Sequence, residues 1–97
     1  MSAYVIFIRK NIKNPEELKV YAELAKAARA DFTIQPISFY GKTIALENIE
    51  CESVAILKFP SMQDAKDWYD SEAYQRAKMH RDKAGEYMVL ITEGFML

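Results

Sequence analysis

The sequence predicts an α+β domain over residues 1–97, with element order β-α-β-β-α-β, a four-stranded antiparallel sheet and two helices on one face. Three observations carry that prediction. Four short runs rich in β-branched and aromatic residues are separated by stretches whose apolar residues recur at helical spacing. Helix-start signals precede both helical stretches. Three of the four strands are apolar on both faces, which a sheet with one solvated face does not need. The chain has 97 residues, 51% hydrophobic and 28% charged, with 13 Lys and Arg against 14 Asp and Glu. That is the balance of an ordinary globular domain, and a chain of this length has room for one core.

Tyr4 to Arg9 is a compact strand, followed by polar loop from Asn11 to Asn14. Asn14 suits the N-cap of a helix and Pro15 its first position, with Glu17 placed so that its side chain reaches back to the N–H of the cap. Leu18, Tyr21, Ala22, Ala25, Ala28 and Phe32 then form an apolar stripe, with Glu16, Lys19, Glu23 and Lys26 on the other side. From Thr33 to Glu47 the pattern is β-like, with Ile37 and Phe39 on odd positions and Ile44 and Leu46 on even ones. The change of parity predicts a one-residue bulge near Gly41, because one extra residue swaps which side chains face the core. Asn48 to Glu52 is the expected hairpin connection and Ser53 to Phe59 the third strand.

Pro60-Ser61 ends that strand, and Ser61 followed by Asp64 marks a capped helix whose buried stripe is Met62, Ala65, Trp68 and Tyr69. The helical pattern is interrupted at Asp70-Ser71. Ser71 is placed to cap a second segment that carries Ala73, Tyr74, Ala77, His80, Arg81 and Ala84 on one broad face and stops at Gly85. Tyr87 to Thr92 is the last strand, and Gly94 to Leu97 is a short apolar tail. This order is the split β-α-β arrangement of ferredoxin-like folds.

In such a fold the helices cover one face of the sheet. Here Val5 and Phe7 are apolar, and so are Tyr4, Ile6 and Ile8. The same holds for Val54 and Ile56 beside Ala55 and Leu57, and for Val89 and Ile91 beside Met88 and Leu90. An uncovered face of this kind would expose several hundred Å² of apolar surface, roughly the upper limit for soluble monomers. A homodimer joined sheet to sheet is the simplest cover, with the tail reaching across to the partner.

A net charge of -1 with interleaved acids and bases provides no basic stripe, so no nucleic-acid partner is expected. The opening Met1-Ser2-Ala3 leads straight into a five-residue apolar run, too short for a membrane or signal segment, and a cytoplasmic location is expected. The single cysteine, Cys51, sits between Glu50 and Glu52, carboxylates that disfavour a reactive thiolate.

The stretch FPSMQDAKDWYDSEAYQ from Phe59 to Gln75 resembles the signature of the domain of unknown function 1330 family, within the dimeric α/β-barrel superfamily. Phe39-Tyr40-Gly41 followed by Ala45-Leu46-Glu47, the pair His80-Arg81 before Gly85, and Val89 to Gly94 are similar to segments of one branch of that family. Lys58, where relatives commonly carry an acid, and Thr33-Ile34-Gln35, in place of a glycine-containing turn, depart from it. The resemblance implies a ferredoxin-like subunit and a dimer whose sheets close into a barrel. It implies no catalytic residues.

His80 is the only histidine, so one subunit has no multi-histidine metal cage or hydrolytic triad, and no cofactor or metal is expected. A single base in a water-excluding pocket still suffices for proton abstraction from an acidic phenol or carbon acid. His80 and Arg81 are therefore the candidate catalytic pair, the second as a clamp for a carboxylate or phenolate. Their structural alternatives are a packing histidine and a helix-end salt bridge from Arg81 to Glu93 or Glu47. Tyr40, Trp68, Tyr69 and Tyr74 are candidate ligand-binding walls or core, and Lys58 a candidate ligand-binding cation or a snorkelling strand residue. Two functions stay open. One is a small-molecule pocket between helices and sheet serving a cofactor-free oxygenase or isomerase, and the other is a non-catalytic, ligand-binding or stress-related dimeric module.

Overall fold

β1 (Ala3–Arg9) forms the centre of the sheet in the computed structural model, which describes residues 1–95. It is followed by α1 (Pro15–Ala27), β2 (Gln35–Phe39), β3 (Ser53–Phe59), α2 (Met62–Asp70), α3 (Glu72–Ala84) and β4 (Tyr87–Glu93). The four strands lie in the order β2-β3-β1-β4, and every neighbouring pair is antiparallel. The sequence expectation of two helices becomes three. Ser71 makes the break by serving two helices at once: its backbone is extended at φ -60° and ψ 148°, its hydroxyl donates to the Trp68 carbonyl at 2.7 Å, and it accepts from the Tyr74 N–H at 3.2 Å. The last turn of α2 and the first of α3 are both satisfied by that side chain.

At the start of α1, Asn14 caps as expected, its side-chain oxygen accepting from the Glu16 and Glu17 N–H groups at 3.1 and 3.3 Å. The Glu17 side chain does not return to the cap. It is taken by His80, whose Nδ1 lies 2.5 Å from Glu17 Oε2. Distant chemistry outcompetes the local box because α1 and α3 lie against one another.

The second strand departs most from expectation. It ends at Phe39 rather than running to Glu47, and its register shifts between Pro36 and Ser38 rather than near Gly41. Proline has no N–H to give to the ladder, so the bulge forms beside it. Tyr40 then takes a left-handed backbone, φ 53°, and turns the chain out of the sheet. Residues 41–50 are exposed, with Ile44 73% and Leu46 85% accessible.

Odd-numbered side chains of β1 and β3 form the floor of the core. Phe7 meets Trp68 edge-on at 6.2 Å between ring centroids and Tyr74 at 6.3 Å, while Phe59 meets Trp68 at 5.2 Å. Ala73 and Met62, expected in the helix stripes, are exposed. The even-numbered side chains turn to the other face. Ile6 stands between Ile56 and Leu90, and Ile8 between Val54 and Met88, with Met88 and Leu90 47% and 46% accessible. Gly94 donates its N–H to the Ser2 carbonyl at 2.7 Å. The expected reach of the tail to a partner involves Met96 and Leu97, which lie outside the described residues.

Candidate functional site

α1 lies against α3. The space beneath it is a cavity of about 450 Å³, within the range of small-molecule sites, roughly 300–1,000 Å³. Phe7, Ala55 and Leu57 of the sheet make its floor, and Leu18, Ala22 and Ala25 of α1 its roof. Trp68, Tyr21, Phe39 and Tyr40 add aromatic surface, and three cations, Arg9, Lys26 and Arg29, complete the lining. The strand pleat explains the floor, since residues two apart on β1 and β3 share a face.

Arg9, the last residue of β1, follows Val5 and Phe7 onto the helix side and is 8% accessible. Its Nε donates to Glu52 Oε1 at 2.6 Å, and its guanidinium carbon lies 4.0 Å from the centre of the Tyr40 ring. Stacking of this kind suits the planar guanidinium. The left-handed backbone of Tyr40, unfavourable for a bulky residue, is what brings its ring there.

Behind the cavity lies a polar relay. Tyr21, which lines the cavity, shares a hydrogen bond with Tyr74 between their hydroxyls at 2.9 Å, and Arg81 Nη1 donates to the Tyr74 hydroxyl at 3.1 Å. Arg81 is 4% accessible and is flanked by the rings of Phe7 and Tyr87 at 5.7 and 5.3 Å. Burial pushes the Tyr21 and Tyr40 hydroxyls well above the ordinary phenol value. Burial also raises Tyr74, to about 12, against the opposing pull of the Arg81 charge.

Of the residues singled out from sequence, Tyr40 and Trp68 line the cavity. Tyr74 and Arg81 stand one layer behind it. Tyr69 rests against Trp68 and Tyr74 at 6.5 and 5.3 Å. His80 is engaged by Glu17 and is not among the lining residues. Arg81 bonds Tyr74 and, at 3.4 Å, Asp82, rather than Glu93 or Glu47. Lys58 faces the opposite side of the sheet, beside a hollow of about 140 Å³ that Ser2, Gln35 and Pro60 share. Arg9, Tyr21, Lys26, Arg29 and Phe39 are cavity residues that the sequence reading did not single out as sites. For Arg9 a signal exists, because the strand parity that buries Val5 and Phe7 buries it too.

Among the described residues, no group of three or more His, Cys, Asp and Glu side chains is placed to hold a metal ion, and no helix is long and apolar enough to cross a membrane. No curated protein matches the chain. Several solved structures share its fold. The RPA0582 protein of Rhodopseudomonas palustris superposes with a TM-score of 0.70 at 14% identity, over 99% of this chain and 84% of that one. A dimeric ferredoxin-like protein from Jannaschia sp. CCS1 gives 0.69 at 10% identity, over 97% and 100%. The cofactor-independent oxygenase SnoaB from Streptomyces nogalater gives 0.59 at 11% identity, over 99% and 94%. At these identities the likeness is one of fold, a four-stranded antiparallel sheet with helices in the ferredoxin-like manner. The matching family model spans residues 2–95, and the chain therefore belongs to the family described as Domain of unknown function (DUF1330).

Proposed function

We propose that this protein is a homodimer, closed sheet to sheet into an α/β barrel, in which each subunit binds a small organic molecule with an apolar body in the cavity beneath α1. The observation that carries the ligand-binding role is the cavity itself, about 450 Å³ of space walled by Phe7, Leu18, Leu57 and Trp68 in a chain of only 97 residues. An apolar cleft of this size leaves its lining side chains in contact with water rather than with packed neighbours, and an apolar ligand body gains by displacing that water. The dimer is supported by the apolar rows on the open face and by dimeric ferredoxin-like neighbours from Jannaschia, Thermobifida fusca and Bacteroides fragilis.

Binding without turnover is the better supported role. A cofactor-free oxygenation or isomerisation, the alternative that the fold of SnoaB brings to mind, requires a base within reach of the ligand. The titratable lining groups besides the three cations are the Tyr21 and Tyr40 phenols, which burial keeps protonated. His80 would serve only if Glu17 released it.

Trp68 is the only tryptophan and lines the cavity, so its fluorescence reports occupancy. Phenols, quinones and short unsaturated acids should quench or shift that emission saturably and raise the melting temperature. Absence of both effects across such a panel would remove the ligand-binding role.

A further inference from the structure

The ionisable side chains around the cavity, tyrosines aside, are all of one sign. Arg9, Lys26 and Arg29 line it and no acid does, although acids outnumber bases in the chain, 14 to 13. Among the described residues neither Lys26 nor Arg29 is ion-paired, and Arg29 donates only to the Ile34 carbonyl, at 3.3 Å. Arg9 is the buried member of the three. Glu52 engages it through Nε alone, which leaves four of its five N–H donors, the two Nη groups, for another acceptor. Among the described residues they make no hydrogen bond of ordinary length; their protein neighbour is the buried hydroxyl of Tyr87, the cross-strand partner of Arg9, which interacts with the guanidinium but lies beyond hydrogen-bond distance. Arg9 itself lines the cavity.

The geometry of that end is built rather than incidental. Tyr40 adopts an unfavourable backbone and its ring lies 4.0 Å from the guanidinium carbon, while the half-exposed Glu52 holds Nε. A guanidinium stacked on one face and tethered at Nε presents its two Nη groups as a fork, which matches the two oxygens of a carboxylate. Phe7, Ala55 and Leu57 line the same cavity.

Resting on the ligand-binding role above, we propose that the ligand is a carboxylic acid with an aromatic or aliphatic body, its carboxylate seated on the Arg9 Nη fork and its body along the apolar floor. Lys26 and Arg29, at the α1 end nearer the start of β2, add a positive field that draws the anion in.

Calorimetric titration with three acids and their neutral amides tests this: 4-phenylbutyric, cinnamic and 2-naphthoic acid. For every pair that binds, the acid is expected to bind roughly tenfold or more tightly than its amide at neutral pH. Arg9→Met should bring the acid down to the level of the amide and leave the amide unchanged, while Arg9→Lys should restore part of the preference. Glu52→Gln, a change at a half-exposed side chain, removes the competing charge without removing Arg9 and should tighten the acid several-fold, which keeps the test open if the Arg9 variants fold poorly. Amides binding as tightly as their acids, or a Glu52→Gln protein with unaltered affinity for the acid, would overturn the carboxylate assignment and leave the pocket standing. Binding by neither member of any pair removes both.

Discussion

Arg81 is a buried charge whose carboxylate partner among the described residues is its half-exposed neighbour Asp82. The Tyr74 hydroxyl accepts from it, the Phe7 and Tyr87 rings flank it, and Asp82 reaches it only at 3.4 Å. Charges buried this way contribute packing as much as electrostatics, and replacement by an apolar side chain of similar length is often neutral. Arg81→Met should therefore change stability by no more than about 1 kcal/mol, while Arg81→Ala, which opens a void among three rings, should cost about 2–4 kcal/mol. Urea denaturation of the two variants decides it: equal damage from both would mean that the charge, not the volume, is what the core requires. The tyrosines give a pH signature on the same scale. Tyr21, Tyr40 and Tyr74 have folded-state values raised by burial above the ordinary 10.0, Tyr74 to about 12. Below pH 10 both folded and unfolded states carry the protons, and the stability from burying neutral phenols is whole. Above it the unfolded chain ionises first, so stability falls by about 1.4 kcal/mol per group for each pH unit until the folded values are reached. The urea midpoint should drop between pH 9.5 and 11, and a flat profile there would show that these hydroxyls are not enclosed. Residue-scale legibility is uneven for the same reason that burial matters. Strand parity places Arg9 in the core, whereas nothing local marks Glu17 as the partner of His80 across 63 positions.

Elements whose limits are set by local chemistry are legible from sequence. Ser61 and Ser71 start α2 and α3 with the hydrogen bonds expected of N-caps, and β3 runs from Ser53 to Phe59 as its pattern implies. β2 is different. Ile44 and Leu46 alternate as a strand should, yet no strand of the described chain lies beside them, and an alternating pattern cannot say whether a partner exists. Gly85 gives a sharper case. It closes α3, yet its backbone is fully extended, with φ 176°, a conformation open to any residue. The glycine is there because a Cβ would overlap the Asn11 carbonyl oxygen and come within 3.1 Å of its carbon. Asn11 also accepts from the Glu86 N–H at 3.1 Å, and Lys10 donates its N–H to the Glu86 carbonyl at 2.8 Å, so the exit of β1 and the entry of β4 are clamped. Gly85→Ala should prise that clamp apart at a cost of about 1–3 kcal/mol, seen as a lowered melting temperature. An unchanged melt would show that the β1 exit yields freely.

At the scale of the whole molecule, the open face of the sheet is the surface on which the proposed dimer rests. Its cross-strand rows run Val54-Ile8-Met88 and Ser38-Ile56-Ile6-Leu90, then turn polar at Gln35-Lys58-Tyr4-Thr92. Two apolar rows beside a polar one resemble half of an interface, with its core and its rim, and a standard interface takes about 800 Å² from each partner. The apolar content of these rows is legible in the sequence, because three strands without alternation have no solvated side to offer. In the proposed two-fold pairing the Ile6 row of one subunit lies over that of the other. Ile6→Glu places a carboxylate in the middle of that contact from both sides, where it is desolvated and faces its own copy. Light scattering should give the mass of two chains for the unaltered protein at micromolar concentration and of one chain for Ile6→Glu, with the far-ultraviolet circular dichroism of the variant retained. The cavity lies on the other side of the sheet, under α1, so a monomeric Ile6→Glu should still quench Trp68 with the same ligands. A folded wild-type protein with the mass of one chain would leave the apolar rows without their proposed cover.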